Sequence, residues 1–127
     1  MTFKDHLVRA FTWWNGQTYG TQLWTRRNGT RVGEDRLGNV YYQTEGGARR
    51  WVIYNGEAEA TRVPTEWFCW LHKTVDEPPT VSLPARKFWE KPSRPNLTGT
   101  ALAYAPPGSI LKGEPPKRQD YEAWTPE

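Results

Sequence analysis

Ten of the eleven prolines lie between Pro78 and Glu127, and Pro64 is the only one before them. Proline gives no N–H to a ladder and clashes inside a helix, so a stretch with one proline in every five residues favours extended or polyproline conformations. The sequence therefore divides into a small α+β module over residues 1–77 and an extended proline-rich tail over residues 78–127. A module of that size buries only a marginal core of its own.

The apolar material is concentrated in large rings. Eight Trp, six Tyr and four Phe stand against one Cys and one Met, with 36% hydrophobic residues in all. No apolar run exceeds five residues (Trp67–Leu71), whereas a bilayer-spanning helix needs about 20. The formal charge of +3 is spread over both parts, so no strong single-sign field selects a partner. Residues 1–20 hold no signal-peptide pattern, and Asp5 argues against a transit peptide. With a lone Cys69, the expected setting is a reducing compartment. Two sequons, Asn28-Gly29-Thr30 and Asn96-Leu97-Thr98, read as turn chemistry.

Within the module, Leu7, Phe11 and Trp14 recur at helical spacing, which predicts a short amphipathic helix over residues 3–14. Thr2 with Asp5 marks its start and Asn15-Gly16 its stop. From Gln22 to Tyr54 short apolar runs alternate with turn residues. The runs are Leu23-Trp24, Thr30-Val32, Val40-Tyr42 and Trp51-Tyr54; Asn28-Gly29, Gly38-Asn39 and Gly46-Gly47 separate them. They predict an antiparallel meander of three or four strands, the last apolar on both faces. Pro64 then opens a short helix through His72, with Glu66 in its first turn. Trp67 and Trp70 share one stripe of that helix, and with Trp51 they form the expected packed centre joining strand, helix and partner.

Beyond Pro78 large residues recur as separated anchors. Leu83, Phe88, Trp89 and Leu97 come first, followed by Tyr104, Tyr121 and Trp124, among other apolar residues. A disordered spacer lacks such anchors. A segment that cannot build its own core but carries them at intervals reads as wrapping along another protein.

Candidate chemistry is sparse. Cys69 and His72 are spaced i, i+3 and could share a face, but a metal site needs further ligands, and packing with a cap explains them better. Only two His residues occur, the acidic pairs Glu34-Asp35 and Asp76-Glu77 flank turns or helix ends as neighbours that would not face each other, and no phosphate-cradling loop is present, which leaves little for catalysis. Arg26, Arg27, Arg31, Arg36, Arg49 and Arg50 among Trp24, Tyr41, Tyr42 and Trp51 are the mix of a nucleic-acid platform. Interleaved Glu34, Asp35 and Glu45 oppose that rival reading, and Arg and Trp suit a protein interface equally well.

Six segments occur in order. They are Val32-Gly33-Glu34-Asp35 with Gly38-Asn39-Val40-Tyr41-Tyr42, Arg50-Trp51-Val52-Ile53-Tyr54, and Pro64-Thr65-Glu66-Trp67 with Trp70-Leu71-His72. Asp76-Glu77-Pro78-Pro79-Thr80, Ala85-Arg86-Lys87-Phe88 and Asn96-Leu97-Thr98-Gly99-Thr100 follow. Over roughly residues 29–127 the chain resembles the alpha-subcomplex subunit twelve family of NADH:ubiquinone oxidoreductase, respiratory complex I, in a bacterial form. The resemblance implies a non-catalytic subunit of the peripheral arm, beside the ferredoxin-like subunit that holds two iron-sulfur clusters. It implies a place on the cytoplasmic or matrix side of the membrane. FMN and clusters would belong to the parent complex and none to this chain. An assembly-factor paralogue shares the Pro-Thr-Glu-Trp version of the helix start.

Overall fold

Three short antiparallel strands frame the computed structural model, which describes residues 2–12, 16–106, 108–112 and 124–126. The elements are α1 (Phe3–Phe11), α2 (Tyr19–Asn28), β1 (Thr30–Glu34), β2 (Val40–Gln43), β3 (Arg50–Ile53) and α3 (Thr65–Leu71), with 3-10 turns at Glu45–Gly47 and Ala60–Arg62. The sheet order is β1-β2-β3, as a meander with short turns requires. The α+β class read from the sequence is the observed one.

Register follows from the turns. Gly38, at φ 80°, allows the tight return from β1 to β2, a backbone region that costs glycine nothing. Tyr41 sits opposite Val52 and Tyr42 opposite Trp51, so the alternation of strand side chains sorts them onto two faces. A bulge lies between Arg31 and Gly33. Gly33 is required there by close approach: a Cβ would stand 2.7 Å from the Thr80 methyl and 2.9 Å from the Trp67 ring.

α3 covers the face bearing Tyr41 and Val52. The core is Tyr41, Val63, Trp67 and Trp70, edged by Val32, Val52, Tyr54 and Leu71. Glu66 lies in the first turn, as the sequence predicts, while Pro64 and His72, predicted as the ends of the helix, are its N-cap and C-cap, one residue outside it on either side.

The other face carries α2, where the sequence predicted otherwise. Leu23-Trp24 was expected to start the meander, yet both lie in a helix of ten residues. Two apolar residues in a row cannot separate a period of 2 from one of 3.6. The deciding features are the Thr18 hydroxyl accepting from Thr21 N at 3.1 Å and Thr25 accepting from Trp51 Nε1 at 3.1 Å. Asn28-Gly29 thus ends a helix; a Cβ on Gly29 would strike Thr25 O at 2.6 Å.

α1 ends at Phe11, before the predicted limit, with Thr12 extended. Trp14 and Asn15 lie outside the described residues. Thr2 N donates to Asp5 Oδ2 at 2.6 Å, the start signal foreseen.

Contacts divide the chain into residues 1–95 and residues 96–127. The described residues beyond Pro78 contain turns and no helix or strand. In the second unit, Asn96 Oδ1 accepts from Thr98 N at 3.1 Å, an Asx turn that explains that sequon locally.

Candidate partner-binding surfaces

Tyr41 and Trp67 stack with ring centroids 3.9 Å apart and 5° between planes. Trp70 meets Trp67 edge-on at 5.6 Å and 90°. Both arrangements suit the ring quadrupoles. Trp70 is 0% exposed and Trp67 5%, so both belong to the core that α3 makes with the sheet.

Polar ties hold this stack in place. Asp35 accepts from Leu37 N at 2.8 Å, Asn39 N at 3.0 Å, Asn39 Nδ2 at 2.9 Å and the Tyr41 hydroxyl at 2.8 Å. Burial, then the hydrogen bond to Asp35, raises the pKa of Tyr41 far above the ordinary phenol value. Asn39 is fully buried. It also donates to Arg62 O at 3.2 Å and accepts from Asn55 N at 3.0 Å, so every buried polar atom of its amide is used. The Asp35…Gly38-Asn39…Tyr41 motif is thus a structural knot. Sequence reasoning missed it as a unit, although an Asp four residues before Asn across a Gly turn is a readable signal.

Arg50 was read as one of a basic array, but it turns inward. Its Nη1 donates to Trp70 O at 2.7 Å and Val75 O at 2.9 Å, and the guanidinium carbon lies 4.9 Å above the Trp70 ring. It thereby satisfies the Trp70 carbonyl at the end of α3 and ties down the Val75 carbonyl in the turn beyond it. Arg31 is occupied by Glu34 at 2.7 Å. The six arginines therefore do not form one open array.

Trp51 does not join Trp67 and Trp70. Because it alternates with Val52, it lies on the α2 face, half-buried, 4.8 Å from the Trp24 ring and 6.0 Å from Tyr42. The predicted three-tryptophan centre is therefore two clusters on opposite sides of the sheet.

The start of the proline-rich segment belongs to the same compact unit as the module. Arg86 Nη2 binds Glu66 Oε1 on α3 at 2.7 Å, and this bond holds the Glu66 carboxyl below its ordinary pKa. Leu83 and Trp89 are exposed, and Phe88 is 97% exposed. Phe88 meets Trp89 edge-on at 4.8 Å. In the second unit Leu97 is half-buried, while Tyr104 and Trp124 are exposed. Tyr121 lies outside the described residues.

Cys69 is half-buried. His72 packs on Phe68 at 4.1 Å. Among the described residues no group of three or more His, Cys, Asp or Glu side chains could hold a metal.

These parts define a small α+β module with an aromatic core, followed by a proline-rich segment in which Leu83, Phe88, Trp89, Tyr104 and Trp124 are exposed. Residues 29–126 match the family described as NADH ubiquinone oxidoreductase subunit NDUFA12, and the chain belongs to that family. It is 42% identical over 99 residues, 68% of each chain, to NADH dehydrogenase (ubiquinone) 1 alpha subcomplex subunit 12 of Bos taurus. The protein of that name in Dictyostelium discoideum is 35% identical, with 72% of this chain and 70% of the relative covered. The alpha subcomplex assembly factor 2 of Mus musculus is 28% identical over 80% of this chain and 77% of its own. The resemblance drawn from the six segments is thereby borne out.

Proposed function

We propose that this chain is a non-catalytic accessory subunit that stabilises the peripheral arm of respiratory complex I. The supporting observation is the family match over residues 29–126, which runs through the module and the proline-rich segment alike. The exposed Leu83, Phe88, Trp89, Tyr104 and Trp124 are the side chains that would dock on neighbouring subunits, chiefly the ferredoxin-like one with two clusters. FMN and the clusters would belong to the parent complex; cluster ligation takes several thiolates, and this chain has one cysteine. Its place is peripheral, on the cytoplasmic or matrix side of the membrane.

A subunit that binds the assembled arm and not its parts stabilises it by mass action, about 2.7 kcal/mol at a hundredfold excess over Kd. Deleting the chain should lower the amount of intact enzyme on native gels. Turnover per intact complex should stay near normal, with cluster signals retained in electron paramagnetic resonance. Fully assembled complex that kept its clusters yet could not reduce quinone would overturn a scaffold role.

The match to the mouse assembly factor favours a second reading, in which the chain occupies the arm only during assembly. Affinity purification separates the two: a subunit remains in the active, mature enzyme and an assembly factor is found only in precursors.

A further inference from the structure

Residues 1–28 precede the family match, and they carry the whole net charge. Lys4, Arg9, Arg26 and Arg27 stand there against Asp5 alone, while residues 29–127 hold thirteen basic and thirteen acidic residues. Asp5 is engaged by Thr2 N at the start of α1. Lys4, Arg26 and Arg27 have no acidic partner among the described residues.

α1, in the same segment, leaves an apolar stripe open. Each residue turns a helix by about 100°, so positions 3, 7 and 11 fall within about 80° of arc. Phe3, Leu7 and Phe11 are 80%, 46% and 80% exposed. Another side of α1 faces α2: His6 hydrogen-bonds the Tyr19 hydroxyl, and Arg9 lies 5.2 Å over the Tyr19 ring. No helix among the described residues is long and apolar enough to cross a membrane. A short helix with Phe and Leu on one side, Lys4 next to them in its turn and a net positive charge on the segment that carries it lies in a bilayer surface rather than through it.

We propose that α1 is a membrane-surface anchor whose Phe3, Leu7 and Phe11 enter the headgroup boundary of an anionic bilayer. Lys4, Arg26 and Arg27 supply the attraction to its phosphates. Charge selects this occupant over a second copy, because pairing two such stripes would bring two +3 ends together. The inference does not rest on the accessory-subunit reading, since the isolated full chain tests it.

The experiment is flotation of the full chain with vesicles of phosphatidylcholine, alone or mixed in equal parts with phosphatidylglycerol. The chain should float with the mixed vesicles and much less with the neutral ones, and added salt should weaken binding. Phe3→Asp with Phe11→Asp should lower partition roughly tenfold or more, with an unchanged circular dichroism spectrum because both side chains are exposed. Lys4→Gln and Arg27→Gln should each lower it about fivefold on mixed vesicles only. Absence of flotation overturns the proposal, as does flotation that the Phe substitutions leave unchanged. A dimer abolished by those substitutions, or their release of the chain from detergent-purified complex without any vesicle binding, would assign the stripe to protein instead.

Discussion

Trp70 is enclosed by Trp67, Tyr41 and the Arg50 guanidinium, and its indole N–H finds no acceptor among the described residues. Its contribution is therefore ring volume and ring charge, not a hydrogen bond. Trp70→Ala should cost roughly 3–5 kcal/mol by emptying the centre of the core. Trp70→Phe keeps a ring and forfeits no hydrogen bond, so it should cost less than half as much. Urea unfolding of the two variants measures this, and equal losses would show that the indole N–H matters after all. The large rings were legible in the sequence because a Trp at helical spacing beside another declares a packed face by type alone. Asp35, Asn39 and Arg50 were not, since their roles depend on remote partners: Asn39 reaches Arg62 O and Arg50 reaches Trp70 O. A one-dimensional pattern does not display such pairings.

At the scale of elements, legibility followed how local the determinants are. α3 was readable because Pro64 and Glu66 act on their own helix start, and the strands because Gly38 and Gly46-Gly47 fix their turns. α2 was misread because its amphipathic pattern is weak and its position depends on Trp51, distant in sequence. The strap from Pro78 to Arg86 was likewise beyond the pattern, since only the fold shows Thr80 over Gly33 and Arg86 on Glu66. That last bond predicts a pH dependence. Glu66 has a folded pKa below its ordinary value of 4.5, so its contribution is complete above that value and disappears as pH falls through the lower folded pKa. Arg86→Gln should therefore lower Tm slightly at neutral pH, the pair being partly solvent-screened. The gap between variant and parent should close in acid below the ordinary carboxylate range. A gap that persists there would mean that Arg86 acts through packing rather than through the ion pair.

Across the whole molecule, the sequence placed the change of character at residue 77 because composition changes there. Contacts place residues 78–95 with the module, because apolar and ionic ties to α3 are invisible to composition. Two truncations separate the contributions of the proline-rich segment. Ending the chain after Glu77 removes the Thr80 contact and the Arg86–Glu66 bond, so the fragment should melt below the parent. Ending it after Pro95 keeps that unit whole and should leave its melting close to the parent's. Both lose Tyr104 and Trp124, which are exposed in this chain and free to dock on a partner. A second docking point on the same chain binds at an effective concentration set by its tether, and losing it can lower overall affinity roughly 10²- to 10⁴-fold without changing any contact of the module. The chain ending at Pro95 should therefore remain folded and yet wash from purified complex I far faster than the full-length chain. Equal retention of the two would show that the segment beyond Pro95 does not hold the chain to the enzyme, and would confine the docking surface to the module and the strap on α3.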